Sequence, residues 1–349
     1  MVAKDWALLA SLMSSAGYTN ESQCQCLMFF YTSIVPYLGS YPQNFPSGAK
    51  PVIRVAVEPI TSISGTNEDP YNLSPIRDFL TRLEKLNPEG YDSRLFEHFY
   101  PKHTLNESEC QTLQAKNEAI RELSQVSFGF DLKPGGISVK GYTFPALKCH
   151  AAGEDLCSVV IGSVQEYFGD ANCYNTLGLI KDYIEMTDAK ANFGFVYSND
   201  CVTPEKSRHK LYGRTIDMSW SKVEEIWTLG GRIDSPEANR GLEYLQEFWK
   251  MLQIGDRPHP LNYETKAGLK VPATKIYFPL YGLNDLDNVR AIAQYLRHIG
   301  LDVQGNAYEQ VVRDSLRNIS PEFAGVLFAY TEKTGVDLSV YYHSSLEYP

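Results

Sequence analysis

Four stretches of this chain set a cation or a small polar group two residues before a tyrosine, in runs that otherwise alternate like β-strands. They are Ser138-Val139-Lys140-Gly141-Tyr142-Thr143-Phe144-Pro145, Arg208-His209-Lys210-Leu211-Tyr212, Lys275-Ile276-Tyr277-Phe278-Pro279 and Ser339-Val340-Tyr341-Tyr342. Period two puts Lys140, Tyr142 and Phe144 on one face and Val139, Gly141 and Thr143 on the other. A single lysine of this kind reads as one that snorkels from a sheet edge, because lysine is almost never buried without a partner. Recurrence asks for a common cause. Arg54, alternating with apolar neighbours in Val52-Ile53-Arg54-Val55-Ala56-Val57, adds a fifth strand with a cation.

Cations gathered on inward-facing strand positions need an anion to offset their desolvation. Few acids read as their partners; Glu58 and Asp131 sit near strand ends. A diphosphate suits the count, with Arg supplying fork geometry and Lys point charge. The interleaved tyrosines present π faces, which stabilise a carbocation, and a site closed to water protects one. Ionisation of an allylic diphosphate would use both residue sets. A lumen that binds a stable phosphorylated ligand, with the tyrosines as ordinary lining, is the competing reading.

The elements that must position these residues repeat in order. Helical patterns fill residues 5–37, and 37–50 read as loop. Strand pairs are expected to begin near residues 52, 126, 193, 270 and 325, with helices following each of the first four. The second pair is Val126–Leu132 and Ile137–Pro145 around a Pro134-Gly135-Gly136 turn, a hairpin signal. The third is Asn192–Asn199 and Arg208–Arg214, the fourth Ala267–Val271 and Thr274–Leu280, the fifth Gly325–Thr331 and Asp337–Tyr342. Helices are expected over Pro75–Leu86, Ser93–Tyr100, Ser108–Leu123, Gly153–Phe168, Cys173–Thr187, Ser221–Leu229, Pro236–Leu252, Leu286–Ile299 and Ala307–Asn318. Ser221-Lys222-Val223-Glu224 matches a capping box, and Ser235-Pro236 an N-cap with proline at the first helical position.

Consecutive hairpins favour antiparallel pairing and leave the helices outside. The fold class is therefore α+β: residues 1–349 as one domain of ββαα repeats, with ten antiparallel strands in a closed barrel inside an outer ring of helices. Closure removes exposed edges, and a barrel of about ten strands encloses a cavity.

Composition bounds the alternatives. A net charge of −10 argues against a broad nucleic-acid-binding face. No apolar run reaches the roughly 18 residues of a membrane span, and the first residues lack a signal peptide's apolar core. Seven cysteines without framework spacing fit a reducing cytoplasmic compartment. Neither the seven histidines nor Cys24 and Cys26 have ligand spacing, so no metal site is expected. Asn284-Asp285-Leu286-Asp287, the nearest approach to an acidic metal-diphosphate motif, reads instead as a helix N-terminus.

Taken together, these motifs resemble the fungal dimethylallyltryptophan synthase-type aromatic prenyltransferases, the family with the ABBA barrel. The resemblance covers nearly the whole chain: Ala16-Gly17-Tyr18, Pro36-Tyr37-Leu38-Gly39, Arg54 with Glu58-Pro59, Lys140-x-Tyr142, Pro204 through Ser207-Arg208-x-Lys210-x-Tyr212, Lys275-x-Tyr277 and Tyr341. It implies that Arg54, Lys140, Arg208, Lys210 and Lys275 hold the diphosphate, and that Tyr142, Tyr212, Tyr277 and Tyr341 shield the allyl cation. The reaction implied is Friedel–Crafts alkylation of an aromatic acceptor in alkaloid biosynthesis, with dimethylallyl or geranyl diphosphate as co-substrate and no cofactor or metal. A soluble monomer or homodimer, with no nucleic-acid or membrane partner, is expected.

Three positions depart from the tryptophan-using relatives. Gln43 stands where they carry a Glu that accepts from the indole N–H; glutamine accepts without charge. Phe195 stands where they carry an Arg for the tryptophan carboxylate. Phe144 replaces a shield tyrosine, keeping the ring and losing the hydroxyl. The acceptor is thus expected to be uncharged, a cyclic dipeptide, an indole alkaloid or a phenolic polyketide, and not free tryptophan. A catalytically silent ligand-binding barrel is the alternative. The empty lumen is expected to be solvated around Lys140, so that Lys140→Ala would lower turnover and leave the fold intact.

Overall fold

A computed structural model of the chain describes residue 20 and residues 53–86, 88, 90–116, 124–133, 136–168, 174–187, 193–215, 217, 219–253, 259–266, 269–280, 284–316 and 321–344. Its contacts divide into two compact units, one formed by the described residues between 51 and 213 with 264–272, the other by 214–263 and 273–344.

The first unit carries β1 (Ile53–Val57), α1 (Ser74–Leu86), α2 (Arg94–His103), α3 (Glu107–Lys116), β2 (Val126–Lys133) and β3 (Gly136–Thr143). Then come α4 (Ala146–Ala152), α5 (Leu156–Phe168), α6 (Tyr174–Met186), β4 (Phe193–Asp200) and β5 (Arg208–Thr215). The second carries α7 (Trp220–Trp227), α8 (Pro236–Leu252), β7 (Ala273–Pro279), α9 (Asp285–His298), α10 (Asp302–Leu316), β8 (Pro321–Thr331) and β9 (Gly335–Ser344). Strand β6 (His259–Lys266) has residues in both, as does β5, whose Arg214 and Thr215 fall in the second.

Among the described residues the strands number nine, hydrogen-bonded in sequence order, where the repeat predicted ten. β1, the first of them, pairs antiparallel with β2, Arg54 opposite Asp131 and Ala56 opposite Gly129; the position of a hairpin partner ahead of it lies outside the described residues. β6 is also displaced from its expected span, Ala267–Val271. The strand runs over His259–Lys266, and Leu269 N–H closes a turn onto the Lys266 carbonyl at 3.1 Å. Pro260 reads as a breaker in sequence, but proline is tolerated at the very start of a strand.

Two helix expectations change for local reasons. Gly153 does not open a helix; it ends α4 with φ of 72° and donates its N–H to the Cys149 carbonyl. This left-handed closure suits glycine, and α5 starts afresh at Leu156. The N-cap of α7 is Ser219, which accepts from Lys222 N–H, and not Ser221. Ser235 caps α8 as the sequence predicts, accepting from Ala238 N–H. The end of the helix expected to reach Leu123 falls outside the described residues.

Register gives the sheet two unlike faces. In the first unit Phe128 lies opposite Gly141 and Phe130 opposite Val139, on the helix side of the sheet. There Phe79 and Leu83 of α1 and Phe96 of α2 join Val126, Phe128, Phe130 and Val139 in one apolar core, with Phe79–Phe128 centroids 4.7 Å and Phe96–Phe128 centroids 4.9 Å apart. Each such ring buried contributes about 1.5–3 kcal/mol. Gly141 is glycine because a Cβ there would stand 2.0 Å from Phe96 Cδ2. In the second unit Phe248 of α8 packs on Phe278 of β7 and Phe328 of β8 at 5.7 and 5.9 Å, and on Tyr295 of α9 at 4.6 Å. The helix-facing layer therefore takes alternate residues of each strand and leaves the others for the opposite face.

Candidate active site

On the opposite face of the first unit, hydrogen-bonded register assembles what the sequence spaces far apart. Tyr142 lies opposite Ser127 and Ser198, Lys140 opposite Gly129 and Asp200, and Ser198 opposite Lys210. Tyr212 lies opposite Val196. Lys140 and Tyr142, Arg208, Lys210 and Tyr212 thus share one face across β3 and β5, with β4 between them. The Tyr142 and Tyr212 rings come within 6.4 Å, tilted at 52°. Arg54 lies opposite Asp131 in the backbone register of β1 and β2.

The expectation that few acids pair with these cations is overturned. Lys140 is 1% exposed and its Nζ donates to Asp131. Arg208 Nε donates to Asp200 Oδ2 at 2.6 Å and its Nη2 to Oδ1 at 3.3 Å, while Nη1 reaches Glu264 of β6 at 3.4 Å. Lys210 Nζ stands 3.7 Å from Asp200 Oδ1, an ion-pair separation. Three cations thus meet three carboxylates. Charge is balanced in the protein itself, so these three cations do not need a bound anion to be tolerated. Lys140 is also not solvated, so removing it would strand a buried carboxylate.

The electrostatics follow from burial and these contacts. Burial pushes Lys210 down to about 7 against the pull of Asp200, with Arg208 and Lys140 adding repulsion. For Asp200, burial works upward but Lys210 and Arg208 outweigh it, holding its carboxyl below the usual range. Arg208 is held up by Glu264 and Asp200 against its desolvation. The Arg208 side chain keeps 36% exposure, so part of the fork remains open to an approaching anion.

In the second unit Lys275 and Tyr277 share a face of β7, and Tyr277 lies opposite Leu327 of β8. Tyr341 of β9 lies opposite Gly325, on that same face. The Tyr277 and Tyr341 rings stand 6.0 Å apart at 41°. A side chain at Gly325 would bring a Cβ within 2.9 Å of the Phe278 carbonyl oxygen.

The acceptor residues are less fully placed. Gln43 lies outside the described residues, and Phe195 falls in β4 with its side chain outside them. Phe144 follows the last residue of β3, half-buried, its N–H donating to the Gln125 carbonyl. Gln125 is itself clamped, donating to the Tyr71 carbonyl at 2.6 Å and accepting from Leu105 N–H at 2.8 Å, so it is no base. Glu58 accepts from Asn72 and Ser124 and is likewise structural.

Sequence reading missed Asp200 and Glu264 and passed over Asp131 as a partner. Asp200 carried a signal: extending the third strand pair by one residue puts it in phase with Val196 and Ser198. Ser198, wholly buried between Tyr142 and Lys210 in register, has no hydrogen-bond partner for its hydroxyl among the described residues. Among the described residues no group of His, Cys, Asp or Glu is arranged to hold a metal ion, and no helix is long and apolar enough to cross a membrane.

Comparison with known proteins agrees over the whole length. A family profile described as tryptophan dimethylallyltransferase matches residues 6–311. Prenyltransferase phqI of Penicillium fellutanum is 38% identical over 404 residues, covering 98% of this chain and 87% of its own. Prenyltransferase malE of Malbranchea aurantiaca is 36% identical over 98% of this chain and 87% of its own. The structure of NotF in complex with brevianamide F and DMSPP superposes with a TM-score of 0.80 at 32% identity, covering 99% of this chain and 95% of that one. AnaPT from Neosartorya fischeri gives 0.78 at 27% identity, covering 99% and 94%.

Proposed function

This chain belongs to the tryptophan dimethylallyltransferase family and is a prenyltransferase that uses a prenyl diphosphate as co-substrate, and from that premise we propose which of its residues do the work and what acceptor it takes. The dimethylallyl group passes from its diphosphate to an aromatic acceptor. Arg54, Lys140, Arg208, Lys210 and Lys275 bind the diphosphate; Tyr142, Tyr212, Tyr277 and Tyr341 stabilise the allyl cation. The observation that carries this reading is the alternation of cation and tyrosine on one sheet face, Lys140 with Tyr142 and Lys210 with Tyr212, with those two rings 6.4 Å apart.

The chemistry follows from the groups. The bond from the allylic carbon to oxygen breaks heterolytically, and its electron pair leaves with the diphosphate, whose growing charge meets guanidinium and ammonium groups. The cation left behind lies against tyrosine faces. The acceptor's aromatic π electrons form the new carbon–carbon bond, and loss of a ring proton restores aromaticity. The same reading takes the sheet as the wall of a closed ten-stranded barrel, which sequence-order antiparallel pairing through nine strands supports.

The acceptor is an uncharged aromatic, an indole such as a cyclic dipeptide before a phenolic polyketide. Phe195 in place of a carboxylate-binding Arg supports this, as does likeness to NotF, solved with brevianamide F. Incubation with dimethylallyl diphosphate or geranyl diphosphate, a panel of acceptors and EDTA, read by mass spectrometry, tests it. Prenylated cyclic dipeptide is expected with EDTA present; free tryptophan as the best acceptor, or product only with added metal, would count against it.

A further inference from the structure

Asp200 contacts two cations of β5, Arg208 and Lys210. Its backbone is fixed: the carbonyl accepts from Ser207 Oγ at 2.8 Å and from Asn199 Nδ2 at 3.3 Å, at the end of β4 where the chain turns through Pro204–Lys206 into β5. Its side chain engages Arg208 in a two-point contact and faces Lys210 at 3.7 Å, and its Cα is opposite Lys140. We propose that Asp200 is a positioning residue for the donor site, its carboxylate fixing the Arg208 guanidinium and balancing the Lys210 ammonium so that both stand ready for the diphosphate. This rests on the reading that this face takes the diphosphate.

The physical case has two parts. Arginine has a long, rotamer-rich side chain, and ordering it costs entropy unless something holds the fork before the ligand arrives. A bidentate carboxylate does that while leaving the Arg208 side chain about a third exposed. Lysine at a buried position keeps its proton only with a counter-ion near. The charged groups facing Lys210 are Asp200 of β4, Arg208 of its own strand, Lys140 of β3 and Glu264 of β6. Of the two acids, Asp200 acts the more strongly. Without it, Lys210 would lose its proton at still lower pH and offer a neutral amine to the diphosphate.

The test is the pH profile of kcat/KM for dimethylallyl diphosphate in wild type, Asp200→Asn, Asp200→Glu and the pair Asp200→Asn with Lys210→Arg. Asp200→Asn is expected to move the alkaline limb down by about one pH unit or more, raising the donor KM above all and recovering toward pH 6. Asp200→Glu should restore part of the wild-type profile. In the double variant the alkaline limb should be lost, because arginine does not deprotonate there. A profile of unchanged shape in Asp200→Asn, or a limb that persists with Lys210→Arg, overturns the proposal. Calorimetric titration with inorganic diphosphate separates the two readings: if Arg208→Gln binds it as wild type does, the face is not the donor site, and both fall. If Arg208→Gln loses binding while Asp200→Asn keeps it at every pH, only the positioning role falls.

Discussion

Lys140 and Asp131 form an ion pair on adjacent strands with side chains 2% and 7% exposed, so the cation proposed for the donor already has a partner in the free protein. Breaking such a pair from one side leaves an uncompensated buried charge, at a cost of about 3–5 kcal/mol. Lys140→Ala is therefore expected to lower the unfolding free energy by that order, measured by urea denaturation, as well as turnover. Replacing both, Lys140→Met with Asp131→Leu, should recover most of the stability while turnover stays low. Recovery of both together would remove Lys140 from the diphosphate set.

The Tyr142–Tyr212 pair separates ring from hydroxyl. Tyr212→Phe keeps the π face and should retain most of kcat. Tyr212→Ala removes a desolvated cation–π contact of about 2 kcal/mol, roughly thirtyfold in rate. Equal losses in both variants would mean that the hydroxyl, and not the ring, is what matters.

Gly141 tests the helix side of the same strand. Gly141→Ala pushes a methyl into Phe96, whose Cδ2 lies 2.0 Å from the added Cβ position. Overpacking of this kind costs about 1–3 kcal/mol. Thermal unfolding should show a lower Tm, and the double variant with Phe96→Leu should regain part of it.

Two buried histidines set an acid limit on stability. His103 donates or accepts to Thr143 and Ser163 at 2.7 and 2.8 Å, and His209 meets the Tyr197 hydroxyl at 2.6 Å. Burial lowers them to about 3 and about 4. A folded value below the unfolded one means that the unfolded chain binds more protons as pH falls below about 6.5. Their contribution is intact above that pH and is lost progressively down to about 4 for His209 and about 3 for His103, with a slope of about 1.4 kcal/mol per pH unit for each. His103→Gln should reduce the slope of unfolding free energy against pH over that window by about one proton. An unchanged slope would show that His103 is not buried in its neutral form.

Why some of this was legible in sequence and some was not has a physical answer. Lys140 and Tyr142, or Lys210 and Tyr212, lie two apart on one strand, and period two alone decides that they share a face. Helix α8 matched its predicted span because Ser235 and Pro236 mark its start. Partners across strands depend on register, which spacing within a strand does not set: Asp131 opposite Arg54, Asp200 opposite Lys140, Glu264 reaching Arg208. Reading each strand alone therefore left Asp131 at a strand end without its partner and passed over Asp200 and Glu264. The clash that makes residue 141 glycine is likewise invisible until α2 brings Phe96 over it.

Binding of a thiolodiphosphate donor analogue, measured by isothermal titration calorimetry in wild type, Arg208→Gln and Lys275→Gln, bears most directly on the assignment of the cation face. Arg208 is partly exposed and touches two carboxylates that Gln can still meet by hydrogen bonding, so its loss should leave the fold standing. Losing a charge-assisted contact of about 1.5–3 kcal/mol predicts an affinity at least tenfold weaker in each variant. Wild-type affinity in Arg208→Gln would contradict the account.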